Sequence, residues 1–249
     1  MIAFPNAKIN LGLHVLGKRD DGFHDIETVF YPVSMCDSLE ITPSGDGKTS
    51  LRQYGPALSG GENLCLKAYH LLREEYDLPP VEIHLLKHVP AGAGLGGGSS
   101  DAAFTFKMLN EMFALNISTG ELEKLAAKIG SDCAFFIRNK PAFAYGRGEQ
   151  LENIGLDLSE KHIRIIKPDV HVSTPEAYKM LRPDANRPSL REIIQQPIVK
   201  WKDILVNDFE KPIFKRYPEI RKIKESMYEK GALYASMSGS GSAVFGIFD

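Results

Sequence analysis

Only three cysteines, Cys36, Cys65 and Cys133, occur in the 249-residue chain. No two stand at the CxxC spacing of a zinc or redox site, and their odd number and wide separation give no disulfide framework. Reduced thiols are expected. The chain also lacks an excess of positive charge, since 30 basic and 32 acidic side chains leave a net charge of −2. A protein whose main ligand is nucleic acid usually shows a basic excess, so no nucleic-acid partner is expected. No apolar run approaches the roughly 20 residues of a membrane helix. The first segment, MIAFPNAKINLGLHVLGKR, is a poor signal peptide because polar residues interrupt its apolar run. These absences point to a cytoplasmic protein that engages no membrane. Neither an internal repeat nor a low-complexity linker is visible. His14, His70, His84, His88, His162 and His171 have no metal-ligand spacing and read as surface or satisfied histidines.

What is present fits an ordinary globular protein, 43% hydrophobic and 25% charged, long enough for one large domain or two modest ones. Residues 7–16 alternate as a strand does, and GKRDDGFHD at 17–25 is turn chemistry. Strand-like runs follow at about 26–34 and 38–42, with PSGDGKTS at 43–50 reading as a hairpin loop. Residues 62–76 place Leu64, Ala68, Leu71, Leu72 and Tyr76 on one helical face, and 81–89 reads as a strand. Helices are predicted over 99–113 and 119–130, the second capped by Thr119 and Gly130. Residues 134–151 read as two strands around Asn139-Lys140-Pro141, and the polar, aperiodic 152–162 is the candidate domain boundary. Beyond it come a strand (HIRIIKP), a short helix (TPEAYKML), helical stretches in LREIIQQ, VKWKDILVNDFE and 218–231, and two strands around Ser238-Gly239-Ser240-Gly241. Mixed strands and helices argue for an α+β class.

The segment Pro90-Ala91-Gly92-Ala93-Gly94-Leu95-Gly96-Gly97-Gly98-Ser99-Ser100-Asp101 stands between a predicted strand and a predicted helix. Five of the seven positions from Gly92 to Gly98 are glycine. Glycine permits positive φ and lets a backbone approach a ligand closely. Successive free N–H groups then form an anion-binding concavity, and the following helix adds the positive end of its dipole. Ser99 and Ser100 offer hydroxyls to phosphate oxygens or to magnesium. The alternative is a flexible or tightly packed turn. No Gly-Lys-Ser/Thr follows at the spacing a Walker loop requires, and no acidic residue ends a following strand about 20 residues on as a dinucleotide fingerprint requires.

The stretch PxGAGLGGGSSDAA resembles the phosphate loop of the GHMP kinase superfamily, which includes homoserine, mevalonate and galactose kinases. PNAKINLGLHV at 5–15 and SMSGSGSAVFGIF at 236–248 resemble that family's N-terminal and C-terminal motifs, in the same order and over nearly the whole chain. AKINLGLHVLGKRDDGFHDIETVF, GLGGGSSDAA, GSDCAFF and NDFE together resemble the branch that phosphorylates the 2-hydroxyl of 4-diphosphocytidyl-2-C-methyl-D-erythritol, in the non-mevalonate route to isoprenoids. The resemblance implies a two-lobed α+β fold. Residues 1–157 would form a ribosomal-protein-like ATP lobe and 158–249 a ferredoxin-like lobe, with ATP and substrate in the cleft. It implies ATP and Mg2+ as cofactors and a monomer or weak homodimer.

By the same resemblance Lys8 and Asp132 meet beside the acceptor hydroxyl as the catalytic pair. A lysine between Ala7 and Ile9 is an odd strand residue unless it has such a task; the alternative is a partly buried structural ion pair. The matched positions place the nucleotide on Pro90, Gly92, Gly94, Leu95, Gly96, Gly97, Gly98, Ser99, Ser100 and Asp101, with Asn63, Leu64 and Lys87 lining the adenine pocket. They place the cytosine between Phe23 and Tyr178, with His24 reading its polar edge. The family more often has tyrosine and then phenylalanine at those two ring positions, an exchange that keeps both rings and moves the phenol. Asn10, Thr174, Pro175, Gly239 and Gly241 complete the expected substrate contacts. The metal ligand is left unassigned. Two other readings compete: a related kinase acting on homoserine or mevalonate, which has no cytosine to hold, and an RNA-binding module on the same fold.

Overall fold

The computed structural model describes residues 1–56 and 62–249. In chain order the elements are β1 (Ile2–Ala3), β2 (Asn6–Lys18), β3 (His24–Cys36), β4 (Ser38–Pro43), β5 (Ser50–Tyr54), α1 (Leu64–Tyr76), β6 (Val81–Leu86), α2 (Gly97–Met112), α3 (Thr119–Ile129) and α4 (Cys133–Arg138). They continue with β7 (Ala142–Gly146), β8 (Gln150–Asn153), β9 (His162–Ile166), α5 (Thr174–Lys179), α6 (Leu190–Ile193), α7 (Ile198–Ile204), α8 (Glu210–Arg216), α9 (Pro218–Glu229), β10 (Tyr234–Met237) and β11 (Val244–Phe248). The chain is therefore α+β. Among the described residues no helix is long and apolar enough to cross a membrane.

These residues form two compact units, each discontinuous in sequence. The first comprises residues 1–7, 33–91 and 96–139. Its sheet has the order β1-β4-β6-β5. Leu39, Ile41, Ile83 and Leu85 are fully buried on that sheet, and α2 packs against α1, α3, α4 and β4. The buried stripe of α1 is Cys65, Ala68, Tyr69 and Leu72, an i, i+3, i+4, i+7 set one position round from the face expected. β4 runs antiparallel to β6 and β5 parallel to it, so 43–50 is not a hairpin loop. Parallel pairing needs a crossover, and α1 supplies it between β5 and β6. The cap of α3 is Ser118, not Thr119: Ser118 Oγ accepts from the Glu121 amide while the Glu121 carboxylate accepts from the Ser118 amide.

Residues 134–138 are also corrected, being helix rather than strand. The six residues of α4, Cys133–Arg138, with every side chain but the last buried, carry no period that separates the two states. The local chemistry decides. The Cys133 amide donates to the Gly130 carbonyl, and Asn139 closes the turn in the left-handed region at φ 55°, its amide on Phe135 O.

The second unit comprises residues 8–32, 92–95 and 140–249. It holds most of the sheet β2-β3-β7-β8 and all of the antiparallel sheet β10-β11-β9, on which α9 packs. Leu13, Val15, Ile26, Val172, Phe209, Ile213, Ile220, Met227 and Met237 share one buried apolar cluster. Each such side chain contributes about 1.5–3 kcal/mol on burial. β2 is buried throughout residues 7–15. Since strand side chains alternate, one face carries Ala7, Ile9, Leu11, Leu13 and Val15 while the other carries Lys8, Asn10, Gly12 and His14. A strand that buries polar groups on one whole face must satisfy or use them.

Candidate functional site

In the first unit the head of α2 is built on a buried ionic triad. The Lys87 ammonium donates to Asp101 Oδ2 at 2.7 Å and to the Asp37 carboxylate. Asp37 also accepts the backbone N–H groups of His88 (2.6 Å) and Val89 (2.8 Å). Three segments are thereby pinned: the start of β4, the exit of β6 and the first turn of α2. Burial raises the Asp101 carboxyl first, the Asp37 carboxylate adds to that rise, and Lys87 opposes both, leaving it at about 7. Burial works against the Lys87 charge, but the two carboxylates outweigh it and hold its pKa above the ordinary lysine value.

Gly96 precedes α2 in the left-handed region at φ 72°, and the Ser100 amide already donates to its carbonyl. A Cβ on Gly97 would lie 2.8 Å from Val89 Cγ1, whereas one on Gly98 would meet only Leu64 Cδ1 at 3.6 Å. Two buried oxygens at this helix head, Ser100 Oγ and Asp101 Oδ1, have no hydrogen-bond partner. Ser99 and Pro90 are half-buried. Asn63 caps α1, its Oδ1 accepting from the Cys65 amide at 2.9 Å, and Leu64 begins that helix. Asp132 is half-buried immediately before α4.

In the second unit Lys8 is 3% exposed. Its ammonium donates to Asn10 Oδ1 at 2.6 Å and to Gly94 O at 3.2 Å, and lies 4.8 Å above the Phe30 ring. Asn10 Nδ2 donates in turn to Thr28 Oγ1. Gly94 has φ 79°, and a Cβ there would lie 2.0 Å from the Ser238 carbonyl oxygen. The lysine amide bonds Leu95 O, and Ala243 N bonds Ala93 O. A Cβ on Gly92 would meet the His171 ring at 3.1 Å. Gly239 and Gly241 both have positive φ, and Ser240 Oγ bonds Thr174 Oγ1 at 2.7 Å.

The same unit brings Phe23, His24, Thr174, Pro175 and Tyr178 to one cavity of about 730 Å³. The His24 and Tyr178 rings stack with centroids 4.6 Å apart. Phe23 is 54% exposed, with the Arg147 guanidinium 5.0 Å from its ring centre. Lys18, Arg147 and Lys179 also line this cavity.

The sequence matches the model of the GHMP kinases N terminal domain over residues 63–147 and that of the GHMP kinases C terminal over 189–249. It is 56% identical to the 4-diphosphocytidyl-2-C-methyl-D-erythritol kinase of Bacteroides thetaiotaomicron, over 100% of this chain and 92% of that one. The chain belongs to the GHMP kinase family. Another relative, the 4-diphosphocytidyl-2-C-methyl-D-erythritol kinase of Parabacteroides distasonis, is 54% identical over the same shares. A crystal structure of 4-(cytidine 5'-diphospho)-2C-methyl-D-erythritol kinase superposes with a TM-score of 0.84 at 35% identity, covering 99% of this chain and 90% of the other.

In this GHMP kinase three groups carry little signal in the sequence. Asp37 stands in an unremarkable strand junction, and only the fold reveals its partners. Arg147 is flanked by Gly146 and Gly148, and that bracketing of a cation by glycines is its one local mark. His14 is neither exposed nor fully satisfied: it is 2% exposed, its Nδ1 has no partner, and burial first, then Arg187, lowers its pKa to about 4.

Two outcomes follow from the helix head. Gly97→Val should destabilise the fold by about 1–3 kcal/mol through overpacking against Val89, whereas Gly98→Ala should leave it at least as stable as before. Equal loss in both, by denaturant unfolding, contradicts the tight contact between Gly97 and Val89. Asp101 binds its proton more tightly folded, at about 7, than unfolded, at about 3.9. Its contribution is complete at low pH and is lost as the pH rises through 7. The unfolding free energy of the wild type should therefore fall relative to Asp101→Asn by a few kcal/mol, to order of magnitude, between pH 5 and 8. A difference that does not change with pH contradicts that assignment.

Proposed function

We propose that this GHMP kinase transfers the γ-phosphoryl group of ATP to the 2-hydroxyl of 4-diphosphocytidyl-2-C-methyl-D-erythritol, a step in making isoprenoid precursors without mevalonate. The observation that carries the choice of acceptor is the cavity in which Phe23, His24 and Tyr178 stand with Lys18, Arg147 and Lys179. A flat base gains about 1–3 kcal/mol from stacking on an aromatic ring, and cations beside it suit a diphosphate. A base that takes the face of Tyr178 displaces the His24 ring from it, and His24 can then offer one N–H and one lone pair to the polar edge. Homoserine and mevalonate have no group for these rings.

The ATP phosphates lie along residues 90–101, where the glycines leave backbone N–H groups uncovered and α2 presents its N-terminus. Asn63, Leu64 and the Lys87 segment flank the adenine. Magnesium would accompany ATP, held by phosphate oxygens and water. The partnerless Ser100 hydroxyl and the Ser99 hydroxyl fit as additional oxygen ligands. Such an ion neutralises charge on the phosphates. Asn10, Thr174, Pro175, Gly239 and Gly241 contact the acceptor. Phosphoryl transfer depends on positioning and charge stabilisation more than on a strong base. Lys8, fixed by Asn10 and Gly94, supplies positive charge at the acceptor oxygen, and Asp132 orients the hydroxyl and accepts its proton. The functional lobes divide at about residue 157. The protein acts in the cytoplasm as a monomer or weak homodimer, without nucleic acid.

A coupled ADP-release assay tests this. Release is expected with the cytidylyl acceptor and not with homoserine or mevalonate; turnover of either of those alone retires the cytosine reading. Asp132→Ala should lower kcat by about 10²-fold or more while ATP affinity is retained, and unchanged kcat removes Asp132 from the chemistry.

A further inference from the structure

The segment Asn207-Asp208-Phe209-Glu210 has no part in the reaction as described, yet its polar side chains grip one loop from two directions. Asn207 is 1% exposed. Its Nδ2 donates to Met237 O at 2.7 Å and to Gly239 O at 2.9 Å, while its Oδ1 accepts from the Phe209 amide at 3.0 Å. Both amide protons and the carbonyl are thus engaged. Glu210 Oε1 accepts from the Met237 amide (2.8 Å) and from Ser236 Oγ (2.9 Å). The backbone around Asn207 is itself fixed to β2: Leu13 N donates to Val206 O, and Asp208 N donates to Leu13 O, each at 2.9 Å. Asp208 adds a bond from Val15 N and an ion pair with Arg187.

Ser238 lies between the two carbonyls that Asn207 holds. Its hydroxyl donates to Gly94 O at 2.8 Å and accepts from the Asn10 amide at 3.2 Å. Gly94 O and Asn10 Oδ1 are the two acceptors that hold the Lys8 ammonium. A continuous set of hydrogen bonds inside one compact unit therefore runs from Asn207 through the loop to Lys8 and to the glycine segment 92–95. We propose that Asn207 is a positioning residue for phosphoryl transfer: it shapes the C-terminal glycine loop so that Ser238 sets Asn10 and Gly94 around the Lys8 ammonium. The task calls for asparagine. Two buried carbonyls converge on one point and require a neutral double donor; a carboxylate there would repel both, and an apolar side chain would leave both unsatisfied. The inference rests on the reading of Lys8 and of the glycine segment as phosphoryl-transfer machinery.

The test uses the full chain with Asn207→Ala, Asn207→Asp, Ser238→Ala and the Asn207→Ala/Ser238→Ala double variant. Steady-state kinetics are read with ATP and the cytidylyl acceptor, and hydrogen exchange is read without any substrate. Each single variant should lower kcat about 10- to 100-fold, as a small misplacement of reacting groups does, with KM for the cytidylyl acceptor changed less than about threefold. The Asn207 variants should speed amide exchange in both 237–243 and 92–96. The double variant should be no worse than the poorer single one, because both residues act through one path. Wild-type kcat in the variants, additive losses, or unchanged exchange in 237–243 overturns the proposal. If the Asn207 variants do not fold, Ser238→Ala decides, and wild-type kcat there overturns it. A wild type that ignores the cytidylyl acceptor refutes the proposed substrate, and the exchange experiment still decides the role of Asn207.

Discussion

A polyphosphate can be held by backbone N–H groups only where no side chain intervenes, and in the site proposed above this constraint falls on the chain from residue 92 to residue 98. Bare backbone has few contacts of its own to keep a shape, so its shape is imposed from outside. In the second unit Gly94 meets the Ser238 carbonyl so closely that a single carbon would overlap it. In the first unit Gly97 sits under Val89 and beside the Lys87 ammonium. The glycines at 94 and 97 are thus required by packing whatever ligand the loop holds, and substitutions along the loop should differ in consequence.

The electrostatics answer the same need. In the proposed phosphate site the helix head already carries Asp101, whose negative charge would oppose the phosphates. Lys87 compensates it from the buried side, and the pressure of burial and of Asp37 moves the proton affinity of Asp101 up to about 7. On the polar face of β2, Lys8 and Asn10 are satisfied internally, Lys8 donating to Asn10 and Asn10 to Thr28 of β3. A lysine held by two oxygens has little freedom left to lose, so in the proposed reaction the charge of Lys8 would be placed before binding rather than by it.

Much of this was legible in the residues. The glycine density ahead of Ser99-Ser100, the odd lysine in β2 and the helices over 64–76, 97–112 and 218–229 are local signals, written by period and by turn chemistry. What was hidden is non-local. Residues 134–138 are too few to show a period, so a strand and a buried helix look alike there. The connection at 43–50 resembles a hairpin because nothing near it reveals that both flanking strands pair with β6, which arrives only after α1. Asp37, Asn207 and Arg147 are ordinary polar residues in ordinary contexts, and their roles arise only when distant segments meet them.

The most direct test of the phosphate site is hydrogen exchange of the wild-type protein with and without a non-hydrolysable ATP analogue and magnesium, read over 90–101. Slowed exchange is expected at the amides of Gly94 to Ser100, with little change along β9 and β11. Protection elsewhere with no change across 90–101 would contradict the assignment, because the glycine segment would then be a packed turn and not the phosphate site.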